Sequence, residues 1–205
     1  MSDDPGASRV MLAREAMATE FDIAVAGLPE RVARQAIEAA LAELVPLEQE
    51  LSRYVENSDV SRINRLAAGE SKVVAAETFD CLEVAEQMRR LTGGAFDVAY
   101  ASRGGGGERL RLDRYRMTVG VLTDGVRVDL GGIGKGFALD LMANVFKEWG
   151  VESALLRASS STLLAMGGPP GEQGWAMGFG PPGGRVEFPL ANGALAASGK
   201  AIKGE

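Results

Sequence analysis

The sequence of 205 residues predicts an α+β fold in which three or four helices pack on a mostly antiparallel sheet. Two observations lead to this prediction. Segments with the apolar spacing of helices alternate with short segments rich in β-branched and apolar residues. In the last third of the chain, short strand-like segments follow one another with Gly and Pro clusters between them. The apolar content of 46% suffices for one core or two small lobes, and we expect a disordered lead at 1–8 and a single domain over 9–205.

The first half of the chain combines strands with amphipathic helices. The predicted strands are 10–12, 21–26 and 72–74. The predicted helices run from Pro29 or Glu30 to Leu44, from a cap at 57–59 through Leu66, and from a cap at Thr78 or its neighbour to Leu91. Pro46 is expected to end or kink the first helix, because proline lacks an N–H group and its ring clashes with the preceding turn. Gly93 and Gly94 are expected to end the last one.

The second half contains one helix and many strands. The predicted strands are 115–122, 126–130, 153–156, 162–166, 175–179, 186–190 and 195–197. The first two are expected to form a hairpin around Thr123, Asp124 and Gly125. The helix is predicted to begin at Phe137 and to end at Gly150. The glycine tract at 104–107 is expected to be a flexible loop.

Composition excludes several classes of function. The net charge of −6, without a basic run, argues against binding to nucleic acid or to an anionic membrane. The chain has no histidine, so Ser-His and Cys-His pairs and imidazole ligands are excluded. A metal would have to be a hard cation held by oxygens, and acid–base chemistry would fall to Asp, Glu, Lys or Tyr.

Location in the cell is predicted from what the sequence lacks. The single cysteine, Cys81, is expected to be a small buried residue, and one cysteine cannot form an internal disulfide. The N-terminal residues are polar and do not resemble a signal peptide, and no apolar stretch is long enough to span a bilayer. These features favour a cytoplasmic protein.

The segment 126–140 carries the clearest chemical signal. An apolar run leads into a turn with four glycines (131, 132, 134 and 136), which contains Lys135 and is preceded by Asp129. Such a turn before a helix suits a phosphate or diphosphate, because free N–H groups and a partial positive charge point out of it. The spacing matches neither the Walker A pattern nor the dinucleotide fingerprint. A tight connection packed on the sheet explains the turn equally well.

Four sequence blocks resemble, in order, those of the ApbE-type flavin transferases, which are FAD:protein FMN transferases. They are AMATEF at 16–21, LSRY at 51–54 with SDVSRIN at 58–64, TGGAFD at 92–97, and DLGGIGKGFALD at 129–140. The family counterparts of the last three are LSxY with DSxxSxxN, TGGAFD, and DLGGIAKGYAVD. A weaker block at 194–199 is similar to the family's ATSG.

The resemblance implies a T-fold-like domain that holds FAD, with Mg²⁺ at the diphosphate, and that passes FMN to a Ser or Thr of an acceptor protein with release of AMP. The family pattern places seven residues at the FAD site: Met17, Tyr54, Ala95, Phe96, Asp97, Asp129 and Lys135. The carbonyl of Gly132 would contribute to the metal site. For single residues a structural role stays open: Met17 and Phe96 as core, Tyr54 at a helix end, and Asp97 as a cap.

The sequence also departs from the family pattern. It ends at Glu205, before the family's HxIDPxTG segment and the ADxxxT segment that follows it. The ADxxxT segment supplies the side-chain ligands for Mg²⁺ in the family, an Asp and a Thr. Ser159, Ser160 and Ser161 stand where Gly-Gly-Asp is usual, and Lys200 replaces an Asp. Closure of the fold by a partner chain, a degenerate relative and an artificially shortened chain all explain this end, and a homo-oligomer is left open. Two functions follow as alternatives: the flavin transferase, and a non-catalytic FAD-binding, nucleotide-binding or structural relative.

Overall fold

The computed structural model describes residues 9–102, 107–180, 184 and 186–197. Contacts divide the chain into two compact units. The sheet unit contains the residues up to Leu44 and those from Ala138 onward, and the motif unit contains Val45–Phe137. The predicted lead at 1–8 and the glycines 104–106 of the predicted loop lie outside the described residues. A single domain over 9–205 stays a prediction.

Helices and strands are mixed along the chain as an α+β fold requires. The elements are β1 (Arg9–Ala16), β2 (Thr19–Ala26), α1 (Glu30–Ala42), α2 (Leu44–Leu51), α3 (Asp59–Ile63), β3 (Ser71–Val73), α4 (Ala76–Leu91), β4 (Leu110–Asp113), β5 (Thr118–Val121), α5 (Gly134–Glu148), β6 (Ala154–Ala158), β7 (Thr162–Met166), β8 (Trp175–Phe179), β9 (Val186–Leu190) and β10 (Gly193–Ala196).

The sheet unit is built on a five-stranded sheet in the order β1-β2-β6-β7-β10. Every neighbouring pair in it is antiparallel, which confirms the predicted mostly antiparallel sheet. Strands β8 and β9 form a separate antiparallel ribbon. Helix α1 packs on β1 and β2 through an apolar stripe that includes Ala33, Ile37 and Leu41. It ends at Ala42, four residues before Pro46, because a proline ring clashes with the carbonyl at that spacing.

The motif unit contains a smaller antiparallel sheet in the order β3-β5-β4. The predicted hairpin of 115–122 with 126–130 is wrong, because β5 pairs with β4 instead. The segment 126–130 belongs to no strand. The alternation of apolar residues in this segment does correspond to one buried face, because Val126, Val128 and Leu130 are buried. Its backbone groups bond to a loop and to side chains rather than to a strand, and these partners are described below.

Several helix boundaries differ from the predicted ones. Helix α4 has Ala75 as its N-cap, and Thr78 is buried inside its first turn, so a cap at Thr78 is wrong. Helix α5 begins at Gly134 rather than at Phe137. Pro46 lies in the first turn of α2, where a missing N–H is tolerated. Both predicted glycine stops are confirmed: Gly93 and Gly150 have φ of 61° and 69° just after α4 and α5.

Cys81 is fully buried on α4, as predicted. Burial raises the pKa of its thiol to about 12, so the thiol stays protonated at neutral pH and acts as a small apolar side chain. Within the described residues, none of the helices has the length and apolar content that crossing a bilayer requires.

Candidate functional site

The glycine turn before α5 presents unused hydrogen-bond donors. The carbonyl of Leu130 accepts bonds from the N–H groups of Ile133 (3.0 Å) and Gly134 (2.7 Å), which closes the turn. The N–H groups of Gly132, Lys135 and Gly136 have no acceptor among the described residues. The ammonium of Lys135 makes no ion pair or hydrogen bond there either. A cationic residue, free amides and the start of a 15-residue helix therefore belong to one short segment, an arrangement suited to an anionic ligand.

Asp129, in contrast, uses both carboxylate oxygens within the protein. Oδ1 accepts a hydrogen bond from the N–H of Gly131 at 2.9 Å. Oδ2 lies 3.1 Å from Nη1 of Arg53. The carboxylate thus fixes the first glycine of the turn and is neutralised by a guanidinium, so its first role is to shape the site.

Arg53 joins Asp129 to Tyr54. Its Nη2 donates a hydrogen bond of 2.6 Å to the Tyr54 hydroxyl, and its guanidinium lies 4.8 Å from the centre of the Tyr54 ring. The Tyr54 hydroxyl and, to a smaller extent, Asp129 raise the pKa of the Arg53 guanidinium. The Tyr54 ring itself is 82% exposed. Arg53 was not predicted as a site residue from the sequence, although its position directly before Tyr54 in the LSRY block indicates a place in the site.

Phe96 brings the TGGAFD block against the glycine turn. A Cβ atom placed on Gly132 would lie 3.3 Å from Cε2 of Phe96, so the glycine leaves room for the ring. The N–H of Phe96 donates to Oγ1 of Thr92 at 3.0 Å, which fixes the chain after Gly93 and Gly94. Phe96 is half-buried and Ala95 is exposed. Only glycine fits at 132 without moving the ring, which explains one of the four glycines.

Asp97 has a local structural role in this structure. Its Oδ1 accepts a hydrogen bond from the N–H of Ala99 at 2.8 Å, which is the cap-like function that the sequence left open. The next carbonyl, that of Val98, accepts the N–H of Asp129 at 2.8 Å. Asp97 is half-buried, and its second oxygen has no hydrogen-bond partner in the part of the chain that the structure describes.

A cavity of about 610 Å³ lies beside Arg53 and Asp129. Asn64 holds one wall, because its amide donates to the carbonyl of Val128 (3.0 Å) and accepts from the Val128 N–H (2.6 Å). The cavity is lined by Arg53, Tyr54, Glu56, Ser61, Asn64, Arg65, Ala101, Arg127, Val128 and Asp129. Arg65 and Arg127 were not predicted from the sequence, since no charge pattern marked them.

The structure brings together most of the predicted residues. Arg53 connects Tyr54 with Asp129, Asp129 bonds to the glycine turn, and Phe96 contacts Gly132. All of these residues, with Ala95, Asp97 and Lys135, belong to the motif unit. Met17 belongs to the sheet unit, where it forms the β1–β2 turn with Ala18. Their φ angles of 52° and 56° are uncommon for residues with a side chain.

A metal site needs several side chains that can serve as ligands close together. Within the described ranges, His, Cys, Asp and Glu side chains form no group of three or more that could hold a metal ion. Asp129 is already bonded through both oxygens. The described residues therefore do not fit a complete Mg²⁺ site at the turn.

Comparison with known proteins assigns a family to this arrangement. The sequence matches the ApbE family over residues 17–104 and 101–203. No curated protein sequence matches the chain.

Solved structures of similar fold include three ApbE proteins. A mutant of the flavin transferase ApbE from Vibrio cholerae is 20% identical, with a TM-score of 0.81 over 94% of this chain and 71% of that one. The ApbE protein of Thermotoga maritima is 26% identical, with a TM-score of 0.76 over the same shares. The apo flavinyl transferase ApbE of Pseudomonas stutzeri is 20% identical, with a TM-score of 0.77 over 90% and 67%. The predicted ApbE-like fold is confirmed.

Proposed function

The chain belongs to the ApbE family, and from that premise we propose that it is an FAD:protein FMN transferase. In this reaction the hydroxyl oxygen of a Ser or Thr on an acceptor protein attacks the phosphorus on the FMN side of the diphosphate. The bond from that phosphorus to the bridging oxygen breaks, and AMP leaves with that oxygen. The acceptor gains FMN through a phosphoester bond, and the hydroxyl proton is released.

The observation that carries the proposal is the set of unused donors at the glycine turn. The Lys135 ammonium and the N–H groups of Gly132, Lys135 and Gly136 are free among the described residues. A diphosphate needs such donors, because its charge is costly to hold without them. We assign Lys135 and these amides to the diphosphate of FAD.

The flat rings of FAD would find aromatic partners nearby. Tyr54 offers an exposed ring at the cavity, and Phe96 lies against the glycine turn. Aromatic rings stack favourably on flat heterocycles. We assign Tyr54 and Phe96 to the rings, the free oxygen of Asp97 to an adenine amine or a ribose hydroxyl, and Ala95 to a further contact with FAD. Met17, in the sheet unit, stays a prediction from the family resemblance.

The proposal includes Mg²⁺ only because the sequence resembles the family. When bound, it would polarise the phosphoryl group, and the carbonyl of Gly132 would be one ligand. The described side chains do not complete its ligand set, so no step of the reaction is derived through it.

A transfer assay tests the proposed function. The purified chain is incubated with FAD and a library of Ser- and Thr-containing peptides, in Mg²⁺ and separately in EDTA. Covalent FMN on the peptides is detected by mass spectrometry, and AMP by chromatography. We expect FMN-peptide and AMP in equal amounts in Mg²⁺, with both strongly reduced in EDTA and in Lys135→Ala. FAD binding without AMP release in any condition would contradict transferase activity.

A second candidate function is supported by the chemistry of Asp129. Because both its oxygens are engaged and no acidic group of three is available among the described residues, the site has the features of an FAD holder without chemistry. In that case FAD would bind equally well in Mg²⁺ and in EDTA, and AMP would not appear.

A further inference from the structure

Arg53 occupies a central position between the two halves of the proposed FAD site. It contacts the Tyr54 ring (4.8 Å), the Tyr54 hydroxyl (2.6 Å) and the Asp129 carboxylate (3.1 Å). Its own backbone is held as well, because its carbonyl accepts a hydrogen bond from Ser61 Oγ at 3.1 Å. One side chain thus touches both the ring wall and the residue that shapes the glycine turn.

The contacts restrict Tyr54 in a specific way. An exposed tyrosine ordinarily samples several rotamers, and a ligand that stacks on it must pay for ordering it. Here the hydroxyl is tied to Arg53, and the guanidinium lies over one face of the ring. A flat ligand therefore meets an oriented ring with a guanidinium over one face, and has the other face for stacking.

The same guanidinium also controls Asp129. Oδ2 of Asp129 faces Arg53, while Oδ1 holds the N–H of Gly131. Without Arg53, an unbalanced carboxylate would stand beside the turn that we assign to the diphosphate, and like charges would repel. Arg53 removes that repulsion and keeps the carboxylate directed at Gly131.

From these contacts we propose that Arg53 is a positioning residue, which fixes the Tyr54 ring for single-faced stacking of an FAD ring and neutralises Asp129 beside the diphosphate turn. The inference rests on the proposed binding of FAD. A planar guanidinium is required, because a lysine ammonium is a point charge that cannot bond to both partners and cover the ring at once.

The test measures FAD affinity and the fluorescence of bound FAD for the full chain and its variants. We expect Arg53→Met to weaken FAD binding about fivefold to twentyfold and to reduce the quenching of each bound flavin. Arg53→Lys should restore part of the affinity but not the quenching. Asp129→Asn should also weaken binding, and combining it with Arg53→Met should cost less than the sum of the single changes.

Arg116→Met is the matched control, since Arg116 is an exposed arginine of the same unit that pairs with Asp113 at 3.0 Å. It should bind FAD as the parent chain does. If Arg53→Met binds FAD with unchanged affinity and quenching, the role of Arg53 is overturned while the proposed function stands. If the parent chain does not bind FAD, both are overturned.

Discussion

Glu50 lies in α2, and its Oε2 atom is buried without a hydrogen-bond partner among the described residues. Burial, and then the negative charges of Glu77 and Asp59, raise the pKa of its carboxyl above the ordinary value of 4.5. Folding thus favours the protonated form. The resulting stabilisation is present below pH 4.5 and is lost as the pH rises through the raised pKa of the folded state.

Glu50→Gln should therefore stabilise the protein at neutral pH, because the amide carries no charge. We expect the melting temperature to rise by about 1–3 °C at pH 7, and the difference from the parent chain to shrink towards about pH 4. Thermal unfolding at both pH values measures this. Glu38→Gln, at an exposed position on α1, is the control. An equal effect of Glu50→Gln at both pH values would contradict the role of its charge.

The two charged residues of the glycine turn show how far single residues can be predicted. The sequence marked Asp129 and Lys135 as a pair of charges around a phosphate turn. In the structure, Lys135 is free for a ligand among the described residues, while Asp129 is bonded to Gly131 and Arg53. The partner of Asp129 lies 76 positions earlier, at Arg53, and a pattern within one segment does not reveal which side chain will neutralise it.

Among the elements, the start of α5 is where stability and function oppose each other. Gly136 lies in the first turn of the helix, and a Cβ atom there would meet nothing within 4 Å. Alanine is the better helix former, so Gly136→Ala should raise the free energy of unfolding by about 0.5–1 kcal/mol. If a diphosphate approaches this backbone, the same methyl group should weaken FAD binding about fivefold or more.

Chemical denaturation and an FAD titration measure the two effects of Gly136→Ala. Gly150→Ala, at the other end of α5, separates them. Its φ of +69° disfavours a side chain, so it should cost about 1 kcal/mol of stability and leave FAD affinity unchanged. Unchanged FAD affinity in Gly136→Ala would remove Gly136 from the diphosphate site.

The bounds of helices and strands were predicted best where nearby turn residues in the sequence mark them. Strands β7, β8 and β9 have the predicted bounds, since Gly and Pro clusters delimit them. The segment 126–130 was predicted as a strand because its apolar residues alternate. Alternation indicates only that one face is buried. In this segment the backbone N–H groups donate hydrogen bonds to Asn64 and to the Val98 carbonyl rather than to a strand. Nothing within 126–130 indicates those partners.

For the whole molecule, the order of the sequence blocks predicted the family and the fold, and both are confirmed. Four blocks in a fixed order are informative even at 20–26% identity to the solved structures. The contacts between blocks, such as Phe96 against Gly132, were not predicted, because they depend on packing between segments far apart in the chain. The FAD-site residues themselves stay predictions.

The proposed function depends on the binding of FAD through the glycine turn. An FAD titration by fluorescence measures this binding in the parent chain, in Lys135→Ala and in the control Lys147→Ala from the far end of α5. We predict saturable binding by the parent and by Lys147→Ala, and binding weakened about tenfold to a hundredfold in Lys135→Ala, because a charged hydrogen bond to the diphosphate is lost. Absence of saturable binding by the parent, or equal affinity in Lys135→Ala, would show that FAD is not bound through this turn.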